Sequence, residues 1–398
     1  MDQDPSLDSY QRTIEDVEVV ISHAKLDVNE LRPLSQVIYF AKKVENYKFL
    51  ELDPDVHGSL NEGCRVMFKG EPNDSVVLCT KDKTYEVKEA ETSNSLLLIP
   101  GMKFVEDVPA TKSERQLEFK EIVGIFHDYY EIKKIKPRLS RLRTLLNRKP
   151  YKGKELEEDE QLVDYYSTED LLKHVQASED EIKQGLKEID AFCLNGKWRL
   201  FEDNYHFRAL SYMLNLLDEN SWKINEVPLG ETLEFLNELL PKEIASHIVE
   251  MYLEPTGELN DDGDTLMQVK EEKTCRYLGA YLLRQAAKFS LKDFLDAWQD
   301  SVPEGLTTNL KQLAGIALYS MDTNPQLIWY FPEEDLPVDY NERFSLLFKQ
   351  REKWTFDEIE PYVRKLATEK QSANAILTKF ARASNVNGTK FYSSRHGK

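Results

Sequence analysis

One pattern recurs in the chain after residue 165 and limits what it can fold into: two amphipathic helices, then two short strands. The early copy is "STEDLLKHVQASEDEIKQGLKEIDAFCLNGKWRLF". Ser178 with Glu181 makes a capping box, so a helix starts there, and Ile182, Leu186 and Ile189 form its apolar face. Asn195-Gly196 then separates two apolar runs, the strongest short signal for a hairpin. In the last copy Thr355 and Glu358 make a second capping box, followed by an apolar stripe of Ile359, Tyr362, Val363 and Leu366. Pro361 is expected to kink that helix slightly. Its second helix offers Ala373, Ile376, Leu377 and Phe380, and Asn387-Gly388 predicts a hairpin. A third copy has Leu291, Phe294, Leu295 and Trp298 in its first helix and Leu310, Leu313 and Ala317 along its second. Residues 221–268 are read as a degenerate copy. Helix, helix, hairpin is the order of a winged-helix core; other folds also contain it, and three copies in series favour tandem winged helices.

The first third reads as β. Candidate strands are "SQVIYFA", "YKFLEL", "CRVMFKG", "SVVLCT", "TYEVKEA", "SLLLIPG" and "QLEFKEIVGIF", separated by the turn chemistry of "GEPND", "TKDK" and "ETSN". Short strands at close spacing suggest a barrel or sandwich. "SLLLIPG" is apolar on both faces and wants cover on two sides, which a partner would supply. A basic segment follows, with Leu139, Leu142, Leu145 and Leu146 on one helical face and Arg138, Arg141, Arg143 and Arg148 around them. Docking of a partner and DNA contact both fit it. The acidic "YKGKELEEDEQ" then reads as an exposed linker. The expected fold class is α+β and multidomain: an N-terminal β-barrel-like domain completed by partner subunits, then tandem winged-helix domains. The expected divisions are 1–130 for the barrel-forming domain, 131–165 for the basic helix and linker, then winged helices at 166–220, 221–335 and 336–398.

Composition narrows the chemistry. The net charge of −19 argues against nucleic-acid binding over the whole surface, so any DNA contact must come from local basic patches. The opening "MDQDPSLDSYQRTIEDVEVV" is acidic and lacks the apolar core of a secretory leader, and no apolar run approaches a membrane span. Cys64, Cys79, Cys193 and Cys275 are scattered and read as free thiols in a reducing compartment. There is no GxxxxGK[ST], HExxH or GxSxG. "ELNDDGDTLMQV" has Val269 where a calcium loop needs a bidentate Glu, and reads as a solvated loop. No catalytic residue, metal ligand or cofactor is expected.

The acidic chain nevertheless ends in a basic segment. From Gln371 to Lys398 there is no Asp or Glu, and residues 338–398 carry twelve Lys/Arg against seven Asp/Glu, a net of +5. Two readings fit: a solvated wing with a frayed tail, or a DNA-contacting module. In the second, Lys379 and Arg382 lie at i and i+3 on the second helix, and Lys390 and Arg395 lie on the wing. Phe391 and Tyr392 are read as core, with stacking on bases as the alternative.

The strings "LCTKDKTYEVKEAETSNSLLLIPG", "STEDLLKHVQASEDEI", "SVPEGLTTNLKQLAGIAL", "REKWTFDEIEPYV" and "NGTKFYSSR" resemble, in the same order, the "defective in sister chromatid cohesion" subunit family of the alternative, replication-factor-C-like clamp loader. The resemblance spans about Cys64 to Arg395. It implies a nuclear, non-enzymatic accessory subunit. Its N-terminal β region would build a composite barrel with the C-terminal end of the clamp loader's large subunit and a small companion subunit. It would join the loader to DNA polymerase epsilon. Single- or double-stranded DNA would be met by the last winged helix, and PCNA only indirectly, in clamp loading or unloading and sister-chromatid cohesion. Matching strings place Leu96, Leu98 and Ile99 in the barrel core or interface. Lys379, Arg382, Lys390 and Arg395 are the DNA candidates. A tandem winged-helix scaffold for proteins alone, with no nucleic-acid role, is the alternative from another class.

Overall fold

The computed structural model describes residues 12–40, 46–109, 114–137, 139–157, 165–321, 323–367, 371–386 and 388–395. Arg138, the acidic stretch 158–164, Asn387 and Lys398 lie outside the described residues. The fold is mixed α+β, in two units, Met1–Lys134 and Ile135–Lys398.

The first unit runs α1 (Ile14–His23), β1 (Leu34–Phe40), α2 (Pro54–Asn61), β2 (Met67–Lys69), β3 (Val77–Cys79), β4 (Thr84–Leu98), β5 (Gln116–Ile122) and β6 (Gly124–Ile135), the last crossing the unit boundary by one residue. β1 and β5 form a parallel pair, Leu34 facing Gln116 and Phe40 facing Ile122. The other four strands form a sheet in the order β2-β3-β4-β6. Among the described residues neither sheet closes into a barrel.

Several sequence expectations are corrected here. "TYEVKEA" and "SLLLIPG" are one strand, β4, because pairing with β6 holds the intervening "ETSN" extended. Thr92 there bonds only locally to the backbone of Asn94. "YKFLEL" is no strand and makes only a bridge from Leu50 to Tyr130. "QLEFKEIVGIF" breaks at Val123, where β5 ends beside β1 and β6 begins beside β4. The helices α1, capped by Thr13 with Asp16, and α2, with Asp53 before Pro54, were not anticipated.

The second unit repeats one arrangement. The first module holds α3 (Ser140–Leu146), α4 (Thr168–His174), α5 (Glu179–Glu188), β7 (Phe192–Leu194) and β8 (Lys197–Arg199). The second holds α6 (Asp203–Glu219), β9 (Val227–Pro228), α7 (Leu229–Leu239), α8 (Lys242–Tyr252), β10 (Leu253–Leu259) and β11 (Thr265–Val269). The third holds α9 (Glu271–Arg284), β12 (Phe289–Ser290), α10 (Leu291–Asp300), a 3₁₀ turn (Leu310–Leu313), β13 (Ala317–Ser320) and β14 (Leu327–Tyr330). The fourth holds α11 (Tyr340–Gln350), β15 (Trp354–Thr355), α12 (Phe356–Val363), α13 (Ala373–Phe380), β16 (Ala381–Val386) and β17 (Thr389–Ser394). In modules two to four the two-residue strand pairs with the last strand of the hairpin, in the orders β10-β11-β9, β12-β14-β13 and β15-β17-β16.

The local signals have clear causes. Ser178 N–H donates to Glu181 Oε2 at 2.9 Å and Ser178 Oγ accepts from Glu181 N–H at 3.3 Å, closing the box that starts α5. Asn195 and Gly196 both have positive φ, 51° and 75°, as a two-residue hairpin with right-handed twist requires. Residues 221–268 carry a full strand–helix–helix–hairpin module. The second helix expected along Leu310, Leu313 and Ala317 is instead the short 3₁₀ turn, and Ala317 opens β13. Gly305 at φ 97° and Gly315 at φ 75° bracket this segment, and within it Asn309 caps the short turn through a box with Gln312. Gly279 of α9 has a packing role: a Cβ there would stand 2.8 Å from the ring of Trp298, which is fully buried and donates its Nε1–H to Cys275 O.

The cores follow the modules. Leu142, Leu171, Ile182 and Leu186 centre the first. Modules two and three share one core, running from Tyr205 and Met213 through Ile248 to Trp298 and Ile328. Trp354, Tyr362, Ile376 and Tyr392 anchor the fourth. The fourth is tied back by Arg343, which is buried. Its guanidinium donates to Glu333 Oε1 at 2.7 Å and to the carbonyls of Tyr362, Leu336 and Pro337. Lys365 meets the other Glu333 oxygen at 2.6 Å.

Two predictions follow from this packing. Arg343→Met strips the buried Glu333 of one partner and leaves three carbonyls without their donor. It should lower unfolding free energy by about 3 kcal/mol, read from denaturant titration. His206 Nε2 and Tyr252 Oη share a hydrogen bond of 2.8 Å, and burial, with His247 and Lys273 near, holds the His206 pKa down at about 3 against an ordinary 6.5. Between those values the unfolded chain binds the extra proton, so His206 withdraws stability as pH falls from about 6.5 toward about 3. His206→Asn should flatten that decline between pH 7 and 5, measured by urea midpoints.

Candidate nucleic-acid and partner interfaces

The fourth module positions the basic candidates. Ser372 caps α13 through its hydroxyl, and the helix runs directly into β16. Lys379, Arg382, Lys390 and Arg395 are all exposed, and among the described residues none of them is ion-paired. The register splits them. Arg382 faces Ser393 across the hairpin, so Arg382 and Arg395 share one face of the ribbon. Arg395 Nη2 donates to Thr378 O at 3.1 Å, which sets it beside Lys379 at the end of α13. Lys390 faces Asn385 on the opposite face, near the tip, with its ammonium 5.1 Å from the Tyr392 ring. The structure therefore gathers Lys379, Arg382 and Arg395 and leaves Lys390 apart. Tyr392 is buried against the core, paired with Trp354, and Phe391 is half-buried.

The net charge of this region divides into two classes that counting alone does not separate. Arg343 and Lys365 share Glu333, Arg351 pairs with Glu358, and Arg364 pairs with Glu360. Those cations bind their own fold. Among the described residues, the cations of this region without an ion pair are Lys349 and Lys353, at and just after the end of α11, and Lys379, Arg382, Lys390 and Arg395; only the last four lie in the stretch from Gln371 on, where no carboxylate exists in the sequence.

The N-terminal candidates stand differently. Leu96 is 40% exposed, and Leu98 and Ile99 are half-buried, so this chain alone covers none of them fully. The same unit exposes other large apolar residues. Phe40 is 74% exposed, and Ile38, Leu97, Phe104 and Phe119 are exposed as well. Among the described residues α1 buries none, and the unit's core cluster consists of Val56, Leu78 and Tyr85. A cavity of about 750 Å³ lies among α1, β1 and the Lys103–Val108 segment, lined by Val20, Ile21, Val37 and Tyr39. Sequence reading placed Phe40 in a candidate strand but missed α1, for which the apolar residues of "TIEDVEVVIS" were the available signal.

The second unit has a cleft of about 1030 Å³ lined by residues of all four modules, including His206, Tyr252, Arg276 and Tyr330. Several of its cations are engaged: Lys273 pairs with Asp190, Arg284 with Asp203 and Arg143 with Glu334. Arg276 donates to the carbonyls of Gln312 and Ala314. Burial pushes the nearby Cys275 thiol up to about 11, which disfavours the thiolate. The "NDDGD" loop turns its side chains on itself: Asn260 Oδ1 accepts from the amides of Asp262 and Asp264, and Asp264 accepts from Gly230 N–H. Among the described residues no group of three His, Cys, Asp or Glu is placed to hold a metal, and no helix is long and apolar enough to cross a membrane.

Comparison with known proteins bears on the whole chain. The family model described as "Sister chromatid cohesion protein Dcc1" matches residues 47–363. The chain is 39% identical to sister chromatid cohesion protein DCC1 of Xenopus tropicalis, over 96% of this chain and 98% of that protein. It is 37% identical to the Homo sapiens protein of the same name, over 97% and 99%. It is 21% identical to that of Saccharomyces cerevisiae, over 85% and 93%. The chain belongs to the Dcc1 family of sister chromatid cohesion proteins.

Proposed function

We propose that this chain serves sister chromatid cohesion as a non-catalytic accessory subunit of an alternative clamp loader. It links the loader to DNA polymerase epsilon and to DNA, in the nucleus, during loading or unloading of PCNA. One contrast within the chain carries the reading. The N-terminal unit presents apolar strands to solvent, and the last module presents unpaired cations on a protein of net charge −19. Exposed apolar patches of this extent mark protein interfaces. They suit a barrel completed by the C-terminal end of the clamp loader's large subunit and the small companion subunit. Leu96, Leu98 and Ile99 would then be covered by those partners.

Modules two to four are read as winged helices. The support is their shared sheet order, in which a strand before the helices pairs with the last strand of the wing. In the last module, Lys379, Arg382 and Arg395 form the DNA-facing group, and Lys390 reaches the backbone from the tip of the wing. The alternative reading, a scaffold for proteins alone, draws on the acidity of the remaining surface.

Titration of labelled duplex and single-stranded DNA with the full chain at several salt concentrations separates the two. Binding through this group should give a log–log salt slope of about −2 to −4 on duplex, at about −0.9 per phosphate neutralised. The Arg382→Ala/Arg395→Ala variant should reduce that slope by about 2. Absence of salt-dependent binding favours the scaffold.

A further inference from the structure

The first module contains a built receptor for a carboxylate. Arg199 is 4% exposed, and its guanidinium grips Glu157 with two bonds, Nη1 to Oε2 at 2.6 Å and Nη2 to Oε1 at 2.9 Å. Its Nε donates to Lys149 O at 3.3 Å. The ring of Tyr165 lies 4.1 Å from the guanidinium carbon and that of Tyr151 lies 5.5 Å away. Tyr165 Oη donates to the same Glu157 oxygen at 3.3 Å. A planar cation fixed beside aromatic rings, with both fork nitrogens donating to one carboxylate, is a strong bidentate donor site for an acidic side chain.

The segment that fills this site is weakly held apart from its two ends. Tyr151 is locked by a parallel bridge to Phe201, with bonds to Leu200 O and from Glu202 N–H. Beyond it the chain makes only a single 3₁₀ turn, Lys154–Leu156, with Lys154 and Glu155 exposed and Leu156 66% exposed. The surrounding groove has a volume of about 590 Å³. A second cation, Arg208, lines it and is ion-paired to none of the described residues; its guanidinium sits 5.0 Å from the Tyr205 ring. Glu155 Oε2 and Arg208 Nη2 both close on Gly153, which at φ 115° lets the strap pass without a side chain. The occupying strap is acidic, with Glu155 and Glu157 lining the groove, and in the sequence five of the six residues 155–160 are Asp or Glu.

We infer that this groove is a docking site for an acidic peptide of a partner protein, held shut in cis by the strap of residues 154–157. The incoming peptide would place one carboxylate on Arg199 and a second near Arg208, releasing Glu157. The occupant is identified by charge complementarity and by the example already seated there. A strap that belongs to the same chain competes at millimolar effective concentration, so partner binding would be set by how firmly it closes.

The test uses the full chain and an acetylated, fluorescein-labelled peptide with the sequence of residues 154–160. Glu155→Gln/Glu157→Gln should bind it at least about tenfold more tightly than the unmodified chain. A peptide with all its Glu and Asp amidated should not bind. Folded E155Q/E157Q protein that binds the acidic peptide no better than the unmodified chain overturns the proposal. Because that variant leaves Arg199 with a weaker partner, hydrogen exchange on the unmodified chain provides the second readout. Excess peptide should speed exchange at Leu156 and Glu157, and unchanged exchange there at saturating peptide makes the strap purely structural.

Discussion

A two-residue strand paired onto the far strand of the following hairpin closes each of the last three modules. β9, β12 and β15 each contribute only a pair of residues, yet the pairing fixes the hairpin against the helices that precede it. In the fourth module the pairing sets Trp354 against Tyr392 and so brings two large aromatic groups of that core together. Loss of this register would turn Tyr392 outward and Phe391 inward, because strand faces alternate. The exposed cations of the ribbon, Arg382 and Arg395 on one face and Lys390 on the other, take their positions from the same register.

The repeat was legible because its signals are local. Capping boxes at Ser178 and Thr355 and the Asn195-Gly196 turn act within four residues, and the structure uses each of them. The errors arose where long-range pairing overrides local preference. "ETSN" has turn residues but lies within a strand, since β6 supplies a ladder alongside. The segment around Leu310 has helical spacing but is held as a 3₁₀ turn between two glycines in left-handed conformation. The short strands before each helix pair were invisible, because two residues carry no periodicity.

The functional surfaces were legible in part for the same reason. A run without carboxylates is a property of sequence, and it marked the basic module correctly as a place of exposed cations. Which cations are free is a property of the fold: Arg343 looks like its neighbours in sequence yet is buried and bonded to Glu333 and three carbonyls. The Arg199 receptor was equally hidden, since its ligand Glu157 is 42 residues away. The N-terminal unit shows the reverse case. Its apolar strands were readable, and the structure leaves them uncovered, with Phe40 and Leu97 in solvent. Exposed apolar residues of that kind are the surface on which the proposed partners would pack.

The most direct measurement of the central claim is co-expression of the full chain with the clamp-loader large subunit's C-terminal segment and the small companion subunit, followed by light scattering on the size-exclusion peak. The account predicts a one-to-one-to-one complex that is lost when Leu96 and Leu98 are replaced by Asp, while the variant chain keeps its helical circular dichroism. A chain that remains alone beside both partners, or a complex indifferent to those substitutions, would contradict it.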